Sequence, residues 1–213
     1  MMFFGHRCRL VKRVPGPWSS GFPARYDPET MPDHDDATVF RTPVVRMFKP
    51  LNTASLQPIC GENVPTVLQH VWGPEHDTAD RWSWLALQNA AFSRKRPWNE
   101  LDFRRELADR DWFASSLSFR TEWADDSRVW SGAVTLELPA DAGQENGRIH
   151  WLAVDPSNQR QGIGRRLVSA CERACWEHGV TAIELETLRS WQSAIGFYQS
   201  LGYSEWVAED RSG

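Results

Sequence analysis

The stretch Val154-Asp155-Pro156-Ser157-Asn158-Gln159-Arg160-Gln161-Gly162-Ile163-Gly164-Arg165-Arg166-Leu167 assembles residue types that can bind an anion. It runs from a strand-like apolar segment through a glycine-containing turn straight into an amphipathic helix. Gly162 and Gly164 carry no Cβ, so a ligand can come close to the main chain there. The first N–H groups of a helix lack intrahelical partners and, with the partial positive charge of that terminus, favour a phosphate or pyrophosphate. Arg160, Arg165 and Arg166 add full charges around the same spot. An ordinary β–α connection with glycine for tight packing fits the same residues. A P-loop does not, because no Lys follows the glycines. A dinucleotide fingerprint fails as well, since Leu167 stands where its third glycine belongs. A diphosphate carrier outside a Rossmann context is what remains.

The elements that must position this turn follow from periodicity. Val44–Phe48 and Pro65–Trp72 are apolar or alternating runs and predict two strands. Thr78–Phe92 carries Trp82, Leu85, Ala86, Asn89 and Ala90 at helical spacing behind an Asp77/Thr78 cap. A second helix starts at the N-cap Asn99, with Asp102 completing a variant capping box and Leu101, Phe103 and Leu107 on it. Leu117–Trp123, Val129–Leu138 and Arg148–Val154 alternate with period two and predict three strands, joined by turns at Asp125-Asp126 and Ala140–Gly147. Then come a helix from about Gly162 to His178, stopped by Gly179, a strand Ala182–Thr187, a helix Gln192–Leu201 and a strand Tyr203–Val207. This order predicts a mixed sheet with helices on both faces, a three-layer α/β/α arrangement.

Composition excludes several classes. With 24 Lys and Arg against 28 Asp and Glu, the net charge of −4 provides no field for nucleic acid or an anionic membrane. No apolar run approaches the roughly 20 residues of a membrane span. Residues 1–26 hold five basic residues and no acid, residues 27–37 hold five acids, and prolines interrupt both, so residues 1–38 are expected to be a disordered tail. Residues 39–64 read as an extension with an extra strand, and 65–210 as the folded domain. Met1–Phe4 is too short for a secretory signal. Cys8, Cys60, Cys171 and Cys175 make no disulfide framework; Cys171 and Cys175 are expected as small core residues of a helix in a reducing cytoplasm, with no metal bound.

Two motifs together resemble the GNAT (GCN5-related) N-acetyltransferases. The family's acyl-CoA signature, Gln/Arg-x-x-Gly-x-Gly/Ala, is matched by Gln159-Arg160-Gln161-Gly162-Ile163-Gly164. Its downstream motif Asn-x-x-Ala-x-x-Phe/Leu-Tyr-x-x-x-Gly-Phe/Tyr is matched by Trp191 to Tyr203, except that Trp191 replaces the Asn. The resemblance covers about residues 129–207 and extends from about residue 65. It implies the GNAT-like acyl-CoA N-acyltransferase fold, with the sheet splayed between the family's fourth and fifth strands. The cofactor arm of acetyl-CoA would lie in that gap along Leu152, Ala153 and Val154. Its pyrophosphate would rest on the turn Gln159, Arg160, Gln161, Gly162, Ile163, Gly164 and Arg165. An amide near Val154 would polarise the thioester carbonyl.

The implied chemistry is direct attack of a neutral amine on acetyl-CoA, with a base to take a proton and an acid to protonate the leaving thiolate. Tyr198 matches the family's usual acid. His150 is one candidate base: it shares the strand parity of Leu152 and Val154, and some arylalkylamine acetyltransferases carry a His there. Glu186 is the other, at the spacing of the base in the ribosomal-protein alanine acetyltransferases, which the segment resembles locally. A water relay is the third option.

The expected activity is therefore transfer of acetyl from acetyl-CoA, as co-substrate, to a primary amine of a small molecule or of a protein N-terminus or lysine. A non-catalytic acyl-CoA-binding module is the alternative, and a homodimer is compatible with either. Acceptor choice would reside in about Asp77–Trp112, a region with Trp82, Trp84, Trp98 and Trp112, and in the Ala140–Gly147 edge. Trp84–Phe92 resembles the corresponding helix of mycothiol synthases.

Overall fold

The computed structural model describes residues 44–52, 65–72, 78–92, 96–122, 130–139 and 146–206. The tail over 1–38, the Asp77 cap, Cys8, Cys60, the Asp125-Asp126 turn and most of the Ala140–Gly147 connection lie outside them. The strands are β1 (Val44–Pro50), β2 (Thr66–His70), β3 (Leu117–Glu122), β4 (Gly132–Glu137), β5 (Gly147–Val154), β6 (Ala182–Leu188) and β7 (Ser204–Glu205). The helices are α1 (Thr78–Phe92), α2 (Glu100–Phe103), α3 (Ile163–Glu177) and α4 (Gln192–Ser200).

One mixed sheet runs in the order β2-β3-β4-β5-β6-β1-β7. All its pairs are antiparallel except β5–β6, which is parallel. The strand expected over Val44–Phe48 is not at the margin of the sheet. It sits between β6 and β7, paired with β6 from Val44↔Leu188 to Pro50↔Ala182. Counting this strand, the family's fourth and fifth strands are β5 and β6.

The two faces carry separate apolar layers, as a sheet sandwiched by helices requires. On one face α3 buries Ile163, Leu167, Val168, Cys171, Ala174 and Cys175 against Met47, Leu136, Ile149 and Ile183. This stripe recurs at the i, i+4 and i+8 positions of a helix, and Gly179 ends it at φ +74°. Both described cysteines are therefore core residues. On the other face, α1 and α2 bury Trp84, Leu85, Leu87, Phe103 and Leu107 against Trp130, Ala133 and Ala153.

The buried face of α1 differs from the expected one. Trp82, Ala86 and Ala90 are exposed, and Trp84, Leu87 and Gln88 are buried instead. Gln88 is fully buried because its amide donates to the main-chain carbonyl of Trp151 (3.2 Å), a partner that apolarity does not reveal. The expected capping box is present: Asn99 accepts from Leu101 N (2.9 Å) while Asp102 accepts from Asn99 N (2.8 Å). Arg96 clamps the same Asp102 with two hydrogen bonds of 2.9 and 2.8 Å. Beyond Phe103 the helix widens into a π-turn over Arg104–Ala108, closed by Asp109 N donating to Arg104 O (2.8 Å). Phe103 and Leu107, four residues apart, are both fully buried while Leu101 is exposed.

Candidate functional site

The site begins with an irregularity in β5. Thr135 pairs with His150 and Ala133 with Ala153, so one residue of β4 faces two of β5, Trp151 and Leu152. Trp151 adopts φ +52°, a left-handed conformation that non-glycine residues seldom take. Such a bulge bends the strand away from its neighbour. Accordingly β5 meets β6 only from Gly147↔Ile183 to Ile149↔Leu185, and its remaining residues to Val154 have no partner strand on that side among the described residues. The divergence opens a cleft of about 790 Å³.

The glycine turn closes one part of the cleft. The side chain of Asp155 accepts from Ser157 N (2.9 Å), and Gln159 Nε2 donates to Val154 O (3.4 Å), folding the turn back on the strand. Arg160 (φ +63°) and Gly162 (φ +79°) are both left-handed, the alternation that gathers main-chain N–H groups into an anion-binding concavity. The first intrahelical bond is Arg166 N to Gly162 O (3.1 Å), so the amides before it lie at the open end of α3. A Cβ on Gly162 would meet nothing within 4 Å, which leaves the space above the main chain free for a ligand. Gly164 serves a different purpose. Its Cβ would come within 3.2 Å of Phe197 Cζ, so this glycine lets α3 and α4 pack closely.

Most of the sequence-predicted cofactor residues come together here. Leu152, Val154, Gln159, Arg160, Gly162, Ile163, Gly164 and Arg165 line the cleft. Gln161, Ala153 and Arg166 are not among the lining residues; Ala153 packs instead with α1 and α2 on the other face. Among the described residues no cluster of His, Cys, Asp or Glu could hold a metal ion.

The three candidate proton carriers are placed differently. Tyr198, on α4, lines the cleft and is otherwise buried, its ring edge-on to Phe197 and Tyr203. Burial, reinforced by the neighbouring Cys171, pushes its phenol well above the ordinary range, so it is protonated at neutral pH. Glu186 also lines the cleft, and Arg46 of β1 donates to its carboxylate from Nη2 (3.1 Å) and Nε (3.3 Å). His150 does not line it. The parity argument for His150 fails because the bulge inserts a residue between it and Leu152. Leu152 and Val154 pack on the α3 side, whereas His150 stacks flat on Trp112 (4.2 Å between centroids) and bonds Glu137 through Nε2 (2.8 Å). Burial lowers its pKa and outweighs the opposing effect of Glu137, so the ring is neutral at pH 7.

Sequence reasoning missed Arg46, Phe92 and Trp151 as residues of this region. Arg46 comes from a strand 140 residues away from Glu186, and Trp151 is turned into the cleft by a bulge; neither leaves a local signal. Trp191 stood out in the sequence as a departure. It lines the cleft and stacks on Phe92, with 5.4 Å between centroids and 20° between planes.

Comparison with known proteins matches this geometry. The model of the acetyltransferase (GNAT) family matches residues 81–203. A mycothiol acetyltransferase of Renibacterium salmoninarum is 27% identical over 139 residues, 64% of this chain and 40% of that protein. The [ribosomal protein bS18]-alanine N-acetyltransferase of Escherichia coli is 31% identical over 109 residues, 51% of this chain and 66% of that protein. The chain thus spans less than two thirds of each. Among solved structures, the ribosomal-protein-S18-alanine N-acetyltransferase of Escherichia coli superposes with a TM-score of 0.52 at 24% identity, covering 68% of this chain and 80% of that one. An aminoglycoside acetyltransferase from an uncultured soil metagenomic sample gives 0.53 at 21% identity, covering 68% and 93%. Both likenesses speak to the three-layer fold with its splayed sheet.

Proposed function

The chain belongs to the GNAT acetyltransferase family, and on that premise we propose that it transfers the acetyl group of acetyl-CoA to the primary amine of an acceptor held beside it. One observation carries the reading. The unpaired edge of β5, the left-handed turn Arg160–Gly162 and the protonated Tyr198 all border a single cleft. The residues present fit the ligand: open space over Gly162 admits a pyrophosphate, and Arg160 and Arg165 supply opposite charge. Main-chain groups along the β5 edge from Leu152 to Val154 would pair with the amides of the pantetheine arm, in the manner of an added strand.

The acceptor nitrogen forms a bond to the acetyl carbon, and the carbon–sulfur bond breaks. The thiolate takes its proton from Tyr198, while the proton lost by the amine goes to Glu186, directly or through water, so no net charge is created. Glu186 is the better-placed base because it borders the cleft, whereas His150 is stacked under Trp112 and bonded to Glu137. The acceptor is a small-molecule amine or a protein amine, as with the acetyltransferases named above.

Calorimetric titration with acetyl-CoA, CoA and ATP tests the binding half, and thiol release with an amine panel tests the chemistry. Micromolar acetyl-CoA binding with ATP inert, followed by turnover, is expected. Tight ATP binding without acetyl-CoA binding overturns the reading. Acetyl-CoA binding without turnover of any amine reduces the protein to a binding module.

A further inference from the structure

We propose that the acceptor amine is carried on a flat aromatic body, as in an arylalkylamine, and that Phe92, Trp151 and Trp191 form the wall that holds it. The inference rests on the acetyl-transfer reading and specifies its acceptor. Three aromatic side chains reach the same cleft from three separate elements: the end of α1, the bulge of β5 and the start of α4. The other tryptophans of the region do not. Trp84 is 1% exposed in the core beneath α1, Trp82 points away and Trp112 lies on His150.

The wall is preorganised. The indole N–H of Trp151 donates to the carbonyl of Glu106 in the π-turn (3.1 Å), and its ring meets Trp98 edge-on at 4.7 Å and Phe92 edge-on at 6.4 Å. The left-handed φ of this residue is a conformational cost, retained where the ring enters the cleft. Trp191 stacks on Phe92 and keeps 39% of its surface exposed, so part of its ring stays open to a ligand.

Charge narrows the class further. Glu186 is the one carboxylate among the described lining residues, and Arg46 already bonds it. A polyamine would bring several cations to a cleft with that single acid. A monoamine on an aromatic ring needs no more, and its ring finds stacking partners while its ammonium form is drawn to aromatic faces on the way in.

The test compares kcat/KM for 2-phenylethylamine, n-butylamine and spermidine at saturating acetyl-CoA, with acetyl-CoA affinity measured separately by calorimetry. Phenylethylamine is expected to exceed the other two by about tenfold or more. Trp191→Ala should collapse that ratio and Trp191→Phe should retain most of it, with acetyl-CoA affinity within about twofold of wild type in both. Equal or better turnover of butylamine or spermidine overturns the wall and leaves the acetyl-transfer reading standing. So does a Trp191→Ala variant that loses acetyl-CoA affinity in step with the amines, because Trp191 would then belong to the cofactor. Failure of the wild-type protein to bind acetyl-CoA overturns both readings together.

Discussion

On one edge β6 meets β1 at every position from Ala182 to Leu188; on the other it meets β5 only from Ile183 to Leu185. The closed edge is reinforced by side chains. Lys49 of β1 reaches Glu172 of α3 (2.8 Å), with the two side chains 12% and 4% exposed, and Arg46 holds Glu186. The open edge surrenders strand pairing, and each backbone hydrogen bond forgone is worth roughly 1 kcal/mol net. One strand can therefore be both scaffold and site wall: the β1 ladder holds β6 in place while the bulge draws β5 away. Chemistry should be sensitive to changes on the open edge, and stability to changes on the closed one.

The largest effect is expected at Tyr198, on the open side. Tyr198→Phe removes the hydroxyl without changing the ring, and loss of a general acid lowers turnover by roughly 10²–10⁴-fold. Acetyl-CoA affinity should stay near wild type. Equal turnover in steady-state assays would take the acid away from Tyr198.

On the closed edge, Lys49→Met strips the partner from a buried carboxylate. Burial already raises the pKa of Glu172, with Lys49 as the main opposing influence. Leaving one partner of a buried pair alone costs about 3–5 kcal/mol, to be read from the denaturant midpoint. The double variant Lys49→Met/Glu172→Leu should recover most of that loss. A single variant as stable as wild type would mean that β1 does not brace the sheet through this pair.

A smaller effect returns to the open edge. Gly162→Val places a branched side chain at φ +79° and fills the space above the turn. The strain costs about 1–2 kcal/mol of stability. Acetyl-CoA affinity should fall by about a hundredfold, the loss of one or two charge-assisted hydrogen bonds. If affinity is retained, the pyrophosphate does not rest on this turn.

The contrast between the edges also marks what the sequence could reveal. The open edge's turn was legible because glycine, proline and the helix stop act locally, and because Gln159 to Gly164 and Ala194 to Tyr203 match the family's motifs in order. The capping box at Asn99 was legible for the same reason. The bulge was not. Arg148–Val154 alternates well enough to pass for a regular strand, and one inserted residue reverses the face of everything before it. The π-turn after Phe103 hides in the same way, since a helical pattern does not record one extra residue in a turn. The place of β1 depends on pairing with a strand far along the chain, which hydrophobic pattern cannot specify. Arg46 beside Glu186 is a consequence of that pairing.

The smallest effect discriminates most finely, because it asks whether the bulge really removed His150 from the chemistry. Burial beside Trp112 depresses the His150 pKa and outweighs the opposing pull of Glu137, so the folded protein holds the ring neutral. The unfolded chain binds a proton near the ordinary value of about 6.5. Above that pH neither state is protonated at this residue, and it contributes no pH dependence. As pH falls below it the unfolded state takes up a proton that the folded state refuses, and stability declines. His150→Gln should flatten this decline, by about 1 kcal/mol or less between pH 7.5 and 5.5. Turnover separates packing from catalysis: kcat/KM at neutral pH should stay near wild type in His150→Gln and fall in Glu186→Gln. A kcat/KM that falls with His150→Gln instead would make the ring a base acting from the far side of the bulge, and Glu186 would be left as a partner of Arg46 alone.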